Sequence, residues 1–268
     1  MVANRYFTID VHCHIYPEKI AAKAVAGTDA FYGVISHGSG IVQNMIEEGV
    51  KAGIDLFLVQ SVATTTKQVP SINEFIAREV EQSEGRLIGL GTLHPDSQDL
   101  RGDVAHLVSL GLHGVKLHPD IQNFKVDDYR CLKIYELCEE NGLPILMHTG
   151  DDRYDNSNPN RLCPILDIYK GLTVIGAHFG GYSIWEEACE AYRGIPNLYV
   201  DCSSSFAFLS DEQICKLIDG YGVDKVLFAT DYPMWRADTE IERLLSLGLS
   251  DEDYKKIFSE NAKRVYSL

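Results

Sequence analysis

The chain has 268 residues, the length of one large domain, and 45% of them are apolar, enough to build a buried core. Its formal net charge of -15 repels phosphate, which argues against nucleic acid or an anionic membrane as the principal partner and leaves a small molecule as the expected one. Seven cysteines, an odd number without C-x-x-C spacing, argue against a disulfide framework or a cysteine zinc site.

The chain opens MVANRYFTIDVHCH, without a basic segment followed by a long apolar one, and no uninterrupted apolar stretch reaches the roughly 18 residues of a membrane span. A soluble, cytoplasmic protein is therefore expected. Short apolar runs then recur along the chain: Phe7 to Val11, Leu56 to Val62, Leu87 to Leu93, Gly114 to Leu117, Pro144 to Met147, Leu172 to Ala177, Leu198 to Val200 and Val226 to Ala229. Between them lie segments with helical spacing, Ser71 to Glu84, Gln98 to Leu110, Asp127 to Asn141, Ser183 to Tyr192 and Ser210 to Tyr221. Strand alternating with helix means parallel strands, and runs rich in Val, Ile and Leu suit strands buried on both faces. Eight such runs predict an α/β (β/α)8 TIM barrel over residues 1–268, for which about 250 residues is typical. An open doubly wound sheet is disfavoured because no glycine fingerprint follows the first strand.

Helix ends support the pattern. Asn141-Gly142-Leu143-Pro144 is a stop signal before the fifth strand, and Ser250-Asp251-Glu252-Asp253 starts the last helix with a cap and acidic groups that suit its dipole. Residues 16–41 are the least regular part. They read either as a lid over the site or as a surface excursion.

Metal-competent residues stand at the ends of the apolar runs: His12 and His14, Lys116 and His118, His148, His178, and Asp231. In a parallel barrel these ends converge on one rim. His12 and His14 are two apart and so project from one face of a strand, with Cys13 turned away as packing. With His148 and Asp231 they make a nitrogen and oxygen set suited to one Zn2+, and Mn2+, Fe2+ or Co2+ fit the same geometry. His178 is the expected acid/base or electrophilic residue beside the metal.

The combination IDVHCH, GVKLHP, PILMHTG, VIGAHFGG and LFATDYP, closed by FSENAKRVY, resembles the amidohydrolase superfamily over Ile9 to Tyr266, specifically the branch that contains the aminocarboxymuconate-semialdehyde decarboxylase type enzymes. The resemblance implies a mononuclear metal at His12, His14, His148 and Asp231, with His178 as the sixth-strand catalytic histidine and Asp231 also accepting the proton of the attacking water, as in hydrolytic relatives. Lys116 is read as an ammonium that orients a substrate carboxylate; a second metal requires its carboxylation. His118, His94, Arg153 as a carboxylate clamp, and Trp235 complete the expected substrate contacts.

The expected activity is metal-dependent hydrolysis of a small amide, ester or lactone, on a substrate expected to be anionic. The alternative is non-oxidative decarboxylation, or another carbon–carbon or carbon–oxygen lyase reaction, of a small carboxylic acid. A homo-oligomer is compatible with the sequence.

Overall fold

The computed structural model describes residues 5–268, and the first four residues, where the expectation of an N-terminus without a leader begins, lie outside it. The strands are β1 (Ile9–His14), β2 (Leu56–Gln60), β3 (Leu87–Gly89), β4 (Gly91–Thr92), β5 (Val115–Leu117), β6 (Ile145–Met147), β7 (Val174–Gly176), β8 (Leu198–Asp201) and β9 (Val226–Leu227). All neighbouring pairs run parallel. β3 and β4 form one stave interrupted at Leu90, whose N–H donates to Val59 O at 2.9 Å while that of Gly91 donates to Gly114 O at 2.9 Å. The ring closes where Val11 N donates to Phe228 O at 3.1 Å and Cys13 bridges Tyr232. The expected eightfold barrel is thus formed.

The helices are α1 (Glu18–Tyr32), α2 (Val42–Ala52), α3 (Val69–Gln82), α4 (Leu100–Ser109), α5 (Pro119–Gln122), α6 (Tyr129–Glu140), α7 (Pro159–Ile168), α8 (Trp185–Ala191), α9 (Asp211–Tyr221), α10 (Ala237–Leu245), α11 (Asp251–Lys255) and α12 (Asn261–Tyr266). The five helices expected from spacing begin and end within two residues of α3, α4, α6, α8 and α9. Side-chain caps set several of these starts: Asp99 accepts from Gly102 N, Asp128 from Arg130 N, Ser210 from Gln213 N and Ser250 from Asp253 N. Among the described residues no helix is long and apolar enough to cross a membrane.

Two apolar layers follow from the pleat. Ile9, Val11, Leu58, Leu90, Leu146, Ile175, Ala177, Leu227 and Ala229 pack together with Ala262 and Tyr266 of α12, while their sequence neighbours Phe57, Val59, Ile145, Met147, Val174 and Val200 pack in the larger cluster with the helices. The first set is the barrel interior. Its parity carries Lys116, His148 and Asp201 inward. On β1 the register shifts between Asp10 and Cys13, which moves the inward positions from Ile9 and Val11 to His12 and His14 and leaves Cys13 in the outer layer.

The loops after β6 and β7 interlock at Gly150, which takes φ 86° and bridges Tyr182; a Cβ there would stand 2.6 Å from backbone atoms of Gly181 and Tyr182. Gly150→Ala therefore combines a left-handed backbone with a backbone clash, and should cost about 1–3 kcal/mol in urea unfolding. Unchanged stability would show that these two loops are not locked together.

Candidate metal centre

The C-terminal ends of β1, β5, β6, β7, β8 and β9 bring His12, His14, Lys116, His118, His148, His178, Asp201 and Asp231 to one rim. Alternation alone does not achieve this. Ile175 and Ala177 already face the interior, so a continuing strand would turn His178 outward; φ values of 61° at His178 and 49° at Phe179 swing it back. Asp231 is also left-handed, at φ 58°. Asp10 anchors that turn, accepting from Thr230 N at 3.0 Å, Thr230 Oγ1 at 2.6 Å and His12 N at 3.2 Å.

Asp201, fully buried, ties three strand ends together. Its Oδ2 accepts from His12 Nδ1 at 2.9 Å, and its Oδ1 accepts from His178 N at 3.1 Å, from Ser203 N at 3.0 Å and from Ser203 Oγ. With the His12 proton held on Nδ1, Nε2 is left as a lone pair. That nitrogen lies 3.1 Å from His14 Nε2 and 3.3 Å from Asp231 Oδ1, while His14 Nε2 is 3.6 Å from the same oxygen. The Asp231 Oδ2 accepts from Ser204 Oγ at 2.6 Å, which leaves Oδ1 for the histidines.

These three donors fit a divalent cation: two imidazole nitrogens and a carboxylate oxygen converge in a buried place. Lys116 Nζ, 2.8 Å from His12 Nε2, donates to the lone pair that a metal would take, so it must yield when one binds. His148, expected as the fourth ligand, does not join the trio. Its Nδ1 lies 3.1 Å from His178 Nε2 and 3.4 Å from Tyr32 Oη, and its Nε2 is 3.5 Å from Asp120 Oδ2.

Burial sets the charge states. It lowers His12, His14, His118 and His148 well below the ordinary imidazole range, helped in each case by Lys116 or a neighbouring histidine, and it pushes His178 down to about 4. The imidazoles are accordingly neutral and able to ligate. Burial also pushes Asp231 up to about 7, against the hydrogen bond from Ser204 and the Lys116 charge, and lowers Lys116 to about 8. A cation at this spot would offset the first of these costs.

The cluster opens into a cavity of about 370 Å³. Of the expected contact residues Lys116 and His118 line it, beside the expected catalytic His178, and α1 supplies Ala24, Thr28, Phe31 and Tyr32 to its wall. Three expected contacts stand elsewhere. Arg153 is not a free clamp, because Asp151 accepts its Nε at 2.9 Å and its Nη2 at 2.6 Å, and Phe31 O accepts its Nη1 at 2.7 Å. It ties α1 to the loop after β6. His94 accepts from Asp96 N at 3.2 Å, outside the cavity lining. Trp235 donates to Ser204 Oγ at 2.8 Å and lines a small adjacent recess with His178 and Asp231.

Asp201, Ser203, Ser204, Asp120 and Tyr32 were not anticipated. Asp201 follows directly on the run Leu198 to Val200, so the strand-end rule that found His148 and His178 reaches it too. Tyr32 carries no such signal, because its place depends on how α1 crosses the rim.

The structure is a parallel barrel whose C-terminal rim carries a buried cluster of histidines and carboxylates able to hold a cation. Residues 9–268 match the family model described as amidohydrolase, and the chain belongs to that family. A curated relative, 2-amino-3-carboxymuconate-6-semialdehyde decarboxylase of Dictyostelium discoideum, is 25% identical over 201 residues, 60% of this chain. The match spans 55% of that relative's length. Among solved structures, an uncharacterized TIM-barrel protein of Bordetella bronchiseptica superposes with a TM-score of 0.80 at 21% identity, covering 97% of this chain and 98% of the other. The 5-carboxyvanillate decarboxylase of Sphingomonas paucimobilis gives 0.75 at 16% identity, over 98% and 99% of the two chains. A dihydroxybenzoic acid decarboxylase of Polaromonas sp., with bound manganese, gives 0.74 at 16% identity, over 98% and 97%. These likenesses establish the fold.

The raised Asp231 carboxyl has a consequence for the metal-free protein. From its ordinary value of 3.8 to about 7 the folded state keeps a proton that the unfolded chain has released. The stabilisation is therefore complete below about 4 and lost as pH rises through about 7. Asp231→Asn cannot titrate. In urea unfolding of chelator-treated protein, wild type should lose stability relative to Asp231→Asn as pH rises across that window, and a constant difference would contradict the buried carboxyl.

Proposed function

We propose that the chain is a metal-dependent decarboxylase, a carbon–carbon lyase acting on a small unsaturated or aromatic carboxylic acid, with α1 as a lid over a single barrel domain. The observation that carries this reading is the mixed lining of one cavity, which joins Lys116 and the histidine cluster to the apolar Phe31, Val62, Ile121 and Met234. A carboxylate held by the polar residues is stripped of water by the apolar ones. Its charge spreads as CO2 departs, so a dry pocket favours the loss.

One divalent cation held by His12, His14, Asp231 and, after adjustment, His148 would supply a Lewis acid for a substrate oxygen. Manganese accompanies the Polaromonas neighbour, and the donor set suits Mn2+ as well as Zn2+. The chain's own residues supply the rest. Lys116 orients the carboxylate, the apolar walls hold the ring or double bond, and Tyr32 closes the cavity from α1. The bond between the carboxyl carbon and its neighbour breaks, CO2 leaves, and the electron pair stays on the neighbouring carbon. A proton must then reach that carbon. Asp231 is the proposed relay: ionised as a ligand, it would take a proton from water or a substrate hydroxyl and pass it to that carbon, with Ser204 fixing its carboxyl and His178 neutral beside it.

The decarboxylase relative and neighbours support the lyase over the hydrolysis that the strand-end motifs first suggest. Both reactions use the same ligands, so product analysis separates them. Protein loaded with Mn2+ or Zn2+ and offered a panel of aromatic and unsaturated acids, lactones and amides should release labelled CO2 from a carboxyl-labelled acid. Asp231→Asn should lower that rate by roughly a hundredfold or more. Acid release from a lactone or amide without CO2 would move the assignment to hydrolysis.

A further inference from the structure

His148 Nε2 and the Asp120 carboxylate are buried side by side at the wall of the cavity without hydrogen-bond partners. His148 Nε2 and both carboxylate oxygens of Asp120 are buried, and no hydrogen bond of ordinary geometry reaches any of them. Both side chains are at most 1% exposed. Asp120 lies in the first turn of α5, with the Asn156 side chain as its other polar neighbour. The two orphans face each other, Nε2 to Oδ2, at 3.5 Å.

The surrounding hydrogen bonds decide where the single proton of a neutral His148 sits. His178 Nδ1 lies 3.1 Å from Ser203 O, and a carbonyl only accepts, so that nitrogen carries the His178 proton and Nε2 is bare. On the other side, His118 Nδ1 accepts from Ile121 N at 3.3 Å, so the His118 proton is on Nε2 and donates to Tyr32 Oη at 2.7 Å. The Tyr32 hydroxyl hydrogen is then free to point at His148 Nδ1, 3.4 Å away. These neighbours compete: the bare His178 Nε2, 3.1 Å away, calls for a proton on His148 Nδ1, whereas the Tyr32 hydroxyl and the buried Asp120 carboxylate call for it on Nε2, and the charged acceptor is the stronger of the two. A proton on Nδ1 would leave the Nε2 lone pair against a buried Asp120 carboxylate, with nothing between them. A proton on Nε2 satisfies both orphans at once.

We propose that Asp120 is a positioning residue for the metal centre: it accepts the Nε2 proton of His148 and so holds Nδ1 bare, facing the bare His178 Nε2 at 3.1 Å. Two lone pairs at that separation repel unless a cation or a proton lies between them. Asp120 thereby presets His148 to ligate through Nδ1. This rests on the reading of the rim as a metal centre and is independent of which reaction the metal serves. A separate cation among Asp120, His148 and Asp151 is disfavoured, because Arg153 already engages both oxygens of Asp151.

Nitrogen-15 NMR of the imidazole rings in metal-free protein reads the tautomer directly, with His148 assigned from the signals lost in His148→Asn. The wild-type ring should be protonated on Nε2. A wild-type ring protonated on Nδ1 overturns the proposal, whatever any variant does. In Asp120→Ala the His148 proton should move to Nδ1, and Mn2+ affinity, measured by equilibrium dialysis, should fall about 10- to 100-fold. Asp120→Asn, whose amide oxygen can still accept, should keep the wild-type tautomer and bind Mn2+ more tightly than Asp120→Ala. A folded Asp120→Ala with its tautomer unchanged, or with wild-type affinity, refutes the role. These readouts need no substrate, so they fail or succeed apart from the proposed decarboxylation.

Discussion

The Asp201 carboxylate is the constraint on which the rim depends. It is buried and accepts hydrogen bonds from the ends of three strands, which fixes the His12 ring through Nδ1 and the His178 backbone through its N–H. The left-handed turn at His178 is held in place by that second bond, together with Phe179 N donating to Asp201 O at 2.6 Å. Remove the carboxylate and the His12 tautomer, the His178 turn and the convergence on Asp231 lose their common reference.

The same burial that fixes geometry fixes charge. Imidazoles packed this closely stay neutral, because protonating one would place a cation beside Lys116 in a medium that solvates neither. Neutral rings ordered by acceptors behind them present lone pairs forward. Asp201 behind His12 and Asp120 behind His148 thus play corresponding parts on opposite sides of the centre, one through Nδ1 and the other through Nε2. The barrel interior below is filled by Val11, Leu58, Leu146 and Ile175, so the polar chemistry is confined to the rim while stability is left to the layers beneath.

Much of this was legible in the residues. Eight apolar runs located the staves, helical spacing located five helices to within two residues, and H-x-H with polar strand ends located His12, His14, His178 and Asp231. What escaped has physical reasons. The irregular stretch after β1 lacks a strong apolar stripe yet forms α1, a helix capped by Gly33 at φ 70°, whose Phe31 and Tyr32 reach the cavity only through tertiary packing. Arg153 was credible as a clamp from its loop position, but Asp151, two residues earlier, engages it first. His148 is expected with the trio because it ends the fifth apolar run at the same rim, and sharing a rim does not fix the distance across a barrel.

His12, His14 and Asp231 are proposed as the core of a cation site. Anomalous diffraction from crystals grown with Mn2+ tests it most directly. The expected peak is bonded to His12 Nε2, His14 Nε2 and an Asp231 oxygen, with Lys116 Nζ displaced from its 2.8 Å contact with His12. A peak elsewhere on the molecule, with that lysine still donating to His12, would contradict it.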